Sequence, residues 1–283
     1  MRASATRIVP ALLSLALAAC GGPNVIATAE NTQYNPSLKV DLKTSTRLAN
    51  GEYYRDLVPG TGAAVSNGQL LGVHYTGWLS NGTQFDSNAG GAAFAFVLGG
   101  GQVIAGWDLG FDGAHVGGLR QLIIPPGLAY GQTGRNPIPG NAVLVFNVQI
   151  DSAKTVTVEN TQFSSSLMVD LASFTKLANG EYYLDSPAGS GAAISPGQTL
   201  ITHYTGWLAD GTKFDSNVGA AAFSFVLGAG KVIGGWDQGF VGAHVGGTRQ
   251  LLIPPELGYG VAGSGPIPPA AVLVFRVQID GAY

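Results

Sequence analysis

Few polar groups in this 283-residue chain are placed to do chemistry: four histidines, one cysteine and two Phe-Asp-Ser runs, Phe85–Ser87 and Phe214–Ser216. The His and Cys residues form no cluster at metal-ligand spacing. Ser87 and Ser216 have no recognisable base, which argues against hydrolysis. The glycine runs 99–101 and 117–118 lack the Lys-Ser or Lys-Thr of a phosphate loop. His74 and His203 alternate with Tyr75 and Tyr204, so they point to the other face of a strand. His115 and His244 sit in Gly-rich turns and read as surface. What remains is one acid per run, Asp86 or Asp215, among many rings. Taken alone, Phe85, Phe94, Phe96 and Phe146 read as core packing and Asp86 as a turn residue. If buried, that acid needs a partner, and Tyr75 is the candidate.

These residues belong to a duplicated unit. Glu30-Asn31-Thr32-Gln33 recurs at 159–162, Leu48 to Tyr54 at 177–183, and His74 to Leu79 at 203–208, always 129 residues on. Between windows 73–88 and 202–217, 12 of 16 positions are identical. A period this long is a domain duplication rather than a solenoid. The boundaries are drawn at 31–152 for domain 1 and 158–283 for domain 2. Their short link has no Gly or Pro, which disfavours a flexible tether. Equal lengths predict two sites of nearly identical geometry.

Each unit reads as mostly β. Gln69 to Leu79 places Leu71, Val73, Tyr75 and Leu79 on one face. Ala142 to Ile150 does the same with Leu144, Phe146, Val148 and Ile150. Short strands are expected at Phe94 to Leu98 and at Leu119 to Ile124. Val103, Trp107 and Phe111 recur every four residues and predict one short helix. The fold class is therefore α+β: an antiparallel sheet with one face covered by a lone helix. Charged residues are 11% of the chain and its formal charge is −3. With no basic run, nothing electrostatic points to nucleic acid.

Six blocks in order resemble the FKBP (macrolide-binding) family of peptidyl-prolyl isomerases. They are Val73-His74-Tyr75-Thr76-Gly77, Gly82 through Phe85-Asp86-Ser87, Phe94 to Gly99, Val103-Ile104-Ala105-Gly106-Trp107, Ala129-Tyr130-Gly131, and Ile138-Pro139 leading to Leu144-Val145-Phe146. The resemblance covers about 52–150 and 181–279, and leaves 32–50 and 161–179 unassigned. It implies a half-barrel sheet wrapped around the helix, with an aromatic pocket between them. Trp107 would be the floor, and Tyr75, Phe85, Phe94, Val103, Ile104 and Phe146 the walls. The Ile104 N–H and the Tyr130 hydroxyl would meet substrate carbonyls. Asp86 would be a buried polar group beside the amide, and Ile138 would lie on the rim. In domain 2 these roles fall on Trp236, Tyr204, Phe214, Phe223, Val232, Ile233, Phe275, Tyr259, Asp215 and Ile267. The Arg that often follows the Phe-Asp-Ser block is missing from both copies. The acid that often precedes Val-Ile is Gln102 in one and Lys231 in the other.

The resemblance implies isomerisation of Xaa-Pro bonds in polypeptides, with no cofactor or metal and with macrolides as possible inhibitors. The alternative is a tandem binding module for proline segments, or a chaperone with incidental turnover. A structural envelope protein is a weaker third, because both tryptophans remain.

The N-terminus suggests an address. Arg2 and Arg7 precede a short apolar run, and Leu17-Ala18-Ala19-Cys20 resembles a bacterial lipoprotein box. This predicts a signal peptide over 1–19, lipidation at Cys20, a spacer over 20–30, and a membrane-anchored protein of the bacterial envelope. It would face the periplasm or the cell surface.

Overall fold

The computed structural model describes residues 26–283. The signal segment, Cys20 and all but the end of the spacer lie outside them. Domain 1 carries β1 (Thr46–Arg47), β2 (Tyr53–Val58), β3 (Gln69–Leu79), β4 (Gln84–Ser87), β5 (Phe94–Val97), α1 (Ala105–Gly110), β6 (Leu119–Ile124) and β7 (Leu144–Thr155). Domain 2 repeats them as β8 (Thr175–Lys176), β9 (Tyr182–Asp185), β10 (Thr199–Leu208), β11 (Lys213–Ser216), β12 (Phe223–Val226), α2 (Gly234–Gly239), β13 (Thr248–Ile253) and β14 (Leu273–Ala282). Each sheet is antiparallel. The order in domain 1 is β1-β2-β6-β7-β3-β4, with β5 also paired to β3, and domain 2 matches it. The expected α+β half-barrel is present twice.

The helix is shorter than its four-residue period suggested. Val103 precedes it and Phe111 caps it, so only Trp107 of that trio lies inside. Two glycines let it approach the sheet. A methyl on Gly110 would lie 2.6 Å from Glu52 Oε1, and one on Gly106 would collide with Ile124. Arg120 fixes the helix end. This residue, 2% exposed, makes two hydrogen bonds to the Asp56 carboxylate at 2.7 and 3.0 Å. It also donates to the carbonyls of Gly110 and Asp112, and its guanidinium sits over Tyr54. Arg249 repeats this with Asp185, Gly239, Val241 and Tyr183. A cation at a helix C-terminus also complements the exposed carbonyl ends.

The segments with no family assignment cover the outer face of each sheet. Ala29, Tyr34, Val40 and Leu42 pack with Tyr53, Ile123 and Val143. In domain 2 a larger set does this, including Val158, Phe163, Leu167 and Phe174. Buried Gln121 and Gln250 donate to the carbonyls of Leu38 and Leu167, tying these segments to β6 and β13.

The same packing reaches the residues on either side of the link. Ala29 is fully buried and Glu30 accepts from Arg47 and Tyr53, so the end of the expected spacer is part of domain 1. Strand β7 runs past residue 152 to Thr155, pairing with Gln69. Three residues later Val158 is already inside domain 2. The link is a capped turn: Asn160 donates to Thr155 O and accepts from Thr157 N.

Candidate active site

The helix and the concave face of the sheet enclose one cavity in each domain. In domain 1 it is about 160 Å³, lined by Tyr75, Phe85, Asp86, Phe94, Gln102, Val103, Ile104, Trp107, Tyr130 and Phe146. In domain 2 it is about 360 Å³, lined by the equivalent residues and Gly230. The rings meet edge to face. The Trp107 ring centre lies 5.0 Å from Tyr75, 5.3 Å from Phe146 and 5.5 Å from Phe111, all near perpendicular. Such pairs gain about 0.5–1.5 kcal/mol beyond their burial. Gly77 permits the arrangement, since a methyl there would stand 2.7 Å from Phe146 and 2.8 Å from Phe85.

Strand β3 delivers Tyr75, and β4 with the residue that follows it orients the side chain and backbone. The Tyr75 hydroxyl donates to Asp86 Oδ2 at 2.7 Å. Its backbone N–H donates to Asn88 Oδ1, and its carbonyl accepts from Ser87 Oγ. Burial, then the hydrogen bond to Asp86, pushes the Tyr75 phenol up to about 12, and Tyr204 likewise. The phenol is therefore a donor at any ordinary pH. Ile104 caps the helix: its carbonyl accepts from Trp107 N at 2.8 Å. Among the described residues its own N–H meets no acceptor, and neither does that of Ile233.

Two expectations need correction. Asp86 and Asp215 are exposed, not buried. Strand β4 is the sheet edge, and no arginine follows to cover the carboxylate, so Asp86 sits at the open mouth. Ile138 and Ile267 are not rim residues. They are 7% and 6% exposed and belong to the cores. Their loops fold back through Arg135 N–Ile138 O and Ser264 N–Ile267 O bonds, which turn the side chains inward. Every other expected lining residue reaches its cavity.

Sequence reasoning missed what holds the site together. Asp108 accepts from Gly99 N and Gly101 N, fixing the loop that leads to Val103 and Ile104. Asp237 does the same for Gly228 and Gly230. The signal was a repeated Trp-Asp pair beside a Gly-rich run. Gln102 and Lys231 were noted only as departures, yet both line the cavities. Among the described residues no acidic, His or Cys cluster could hold a metal.

A family model described as FKBP-type peptidyl-prolyl cis-trans isomerase matches residues 62–151 and 191–280. The chain is similar to human peptidyl-prolyl cis-trans isomerase FKBP9, with 37% identity over 217 residues, 75% of this chain and 35% of that protein. Human FKBP10 is 35% identical over 250 residues, 87% of this chain and 38% of that one. FK506-binding protein 4 of Rhizopus delemar is 51% identical over 110 residues, 38% of this chain and 29% of its own. The chain thus spans just over a third of the length of the first two relatives.

Proposed function

The chain belongs to the FKBP-type peptidyl-prolyl cis-trans isomerase family, and from that premise we propose that both domains accelerate rotation about Xaa-Pro bonds. The observation that carries this is the pairing, in each cavity, of an indole floor with an unengaged amide N–H at Ile104 or Ile233. Amide resonance sets a barrier of about 18–20 kcal/mol. The twisted amide has lost its charge separation, so an apolar, ring-lined site disfavours the planar form relative to it. The proline ring lies on Trp107. The Ile104 N–H and the Tyr130 hydroxyl hold the flanking carbonyls in the twisted geometry. The Asp86 carboxylate, oriented by Tyr75, faces the amide from the mouth. No covalent bond to the protein forms. Each ~1.36 kcal/mol of preference for the twisted state gives tenfold in rate.

The substrates are proline-containing polypeptides, and macrolides are candidate inhibitors. Cys20 supports a further reading, that the protein is lipidated and works on exported chains at a bacterial membrane. Among the described residues no helix is long and apolar enough to cross a membrane. Mass spectrometry of the mature protein checks the anchor, since a diacylated Cys20 is expected and an unmodified residue rejects it. For the activity, NMR exchange of an Ala-Pro peptide should quicken with the full chain. It should lose at least tenfold in Asp86→Val/Asp215→Val, which alters only exposed edge-strand residues. No acceleration by the unaltered chain rejects the isomerase reading.

A further inference from the structure

The rim loop of domain 2, which carries Tyr259, meets domain 1. The Ser66–Gln69 turn, Thr155 and Val156 face Pro255, Glu256, Gly260, Val261 and Ala270 across a cleft of about 180 Å³. Contact is close at two points. A methyl on Gly68 would stand 3.0 Å from Val261 Cγ2, and one on Gly100 would stand 2.9 Å from Pro269 Cβ.

The duplication supplies an internal control, because each touching residue has a counterpart 129 positions away that touches no second domain. On the domain 2 side Val261, Pro269 and Ala270 correspond to Gln132, Gly140 and Asn141. Val261 and Pro269 are half-buried and Ala270 is buried, whereas Gln132 and Gly140 are exposed and Asn141 is half-buried. On the domain 1 side half-buried Gly100 corresponds to exposed Ala229. The two copies therefore differ where one domain meets the other: apolar side chains on one surface and a missing methyl on the opposing one.

Ala270 adds an energetic argument. It is left-handed at φ 50°, as Asn141 is at φ 58°. Asn tolerates that backbone, while other L-residues adopt it only at a cost. Domain 2 thus carries the worse residue for its own loop and the better one for an apolar contact.

The two tyrosine loops are also braced differently. Arg135, within the domain 1 loop, lies 6.0 Å from the Tyr130 ring centre. Its counterpart is Ser264. We infer that domain 1 docks on domain 2 as a fixed partner and holds the Tyr259 loop in place, doing for Tyr259 what Arg135 does for Tyr130. The consequence for turnover rests on the isomerase reading; the docking does not.

The test uses the full chain with domain 1 silenced by Asp86→Val. Val261→Gln, Pro269→Gly and Ala270→Asn are combined, so that domain 2 receives residues its own fold already accommodates in domain 1. Gly100→Leu wedges the contact from the other side, and Ala229→Leu is the matched control. 15N relaxation reports whether the domains tumble together, and 13C-labelled tyrosine reports the Tyr259 ring. The starting chain should tumble as one body. The triple variant and Gly100→Leu should separate the domains, shift and broaden the Tyr259 signal, and lower kcat/KM of domain 2 at least threefold. Ala229→Leu should leave the domains docked and the Tyr259 signal unmoved. Independent tumbling of the starting chain would overturn the inference, as would separated domains with an unmoved Tyr259 signal. A starting chain that docks, responds at Tyr259 and shows no isomerisation would uphold the inference and reject the isomerase reading instead.

Discussion

The two cavities share floor and walls but differ in volume, about 160 Å³ in domain 1 and about 360 Å³ in domain 2. Trp, two Tyr, three Phe, Val, Ile and Asp stand at matching positions in both. Equal repeat length predicted near-identical sites, and the interior of the site obeys it. The rim does not. Gln102 folds back to accept from Val97 N at 2.7 Å, whereas Lys231 is exposed at the mouth. Arg135 lies 6.0 Å from the Tyr130 ring centre in one loop, and Ser264 replaces it in the other. The parts proposed to twist the amide are shared, while the residues at the mouth have diverged.

The sharpest way to break the equivalence of the interiors is to remove the floor. Trp107→Ala and Trp236→Ala should each destabilise their own domain by about 3–5 kcal/mol, as large-to-small changes in packed sites do. Separate unfolding of the two domains in urea, followed by domain-specific NMR signals, checks this. Losses differing by more than about 2 kcal/mol would show that the interiors are not equivalent.

A second shared feature is a carboxyl beneath each helix. Glu52 and Glu181 are fully buried beside Gly110 and Gly239, and burial pushes each up to about 8. The unfolded chain releases this proton in the usual carboxylate range, while the folded one holds it to about pH 8. Stability should therefore fall as pH rises across that window. Glu52→Gln and Glu181→Gln should each flatten the slope of their own domain, read from urea midpoints at pH 5 and pH 8. An unchanged slope in either variant would contradict the burial argument.

Much of this was legible in sequence. The duplication and the strands follow from spacing, because side-chain alternation is a local property, and the aromatic floor came from the family resemblance of the ordered motifs. The exposure of Asp86 was not legible: it depends on β4 being the sheet edge, which only the assembled strand order reveals. Ile138 was misplaced for a similar reason, since a loop that folds back on itself reverses which side chains face inward. Arg120 and Glu52 lie 68 residues apart in the chain yet converge beneath the helix, and no local pattern joins them.

The rim difference gives a smaller expected effect. Peptides with Glu before Pro, compared with Ala before Pro, should be favoured by domain 2 over domain 1 about two- to fivefold, the range of an exposed ion pair. Lys231→Gln should abolish the preference and Gln102→Lys should confer it, as judged by kcat/KM ratios. Equal ratios in all chains would confine the divergence to shape.

Smallest is a pH effect that both domains should share. His74 bonds Gly91 O and Asp151, and His203 bonds Asp280 and Ala220 O, which raises both imidazoles above their ordinary value. The stabilisation is complete below the ordinary imidazole range and is lost as pH rises through the raised values. Amide exchange at Gly91 and Ala220 should quicken across that range beyond its intrinsic pH dependence. A response in one domain only would break the comparison there.

The most direct test of two working sites is prolyl isomerisation by the full chain, Asp86→Val, Asp215→Val and the double variant. The kcat/KM values of the two single variants should sum to those of the unaltered chain and the double variant together. The double variant should retain less than a tenth of the unaltered chain's value. A single variant as inactive as the double would contradict the claim of two sites, and a double variant as fast as the unaltered chain would contradict the pocket itself.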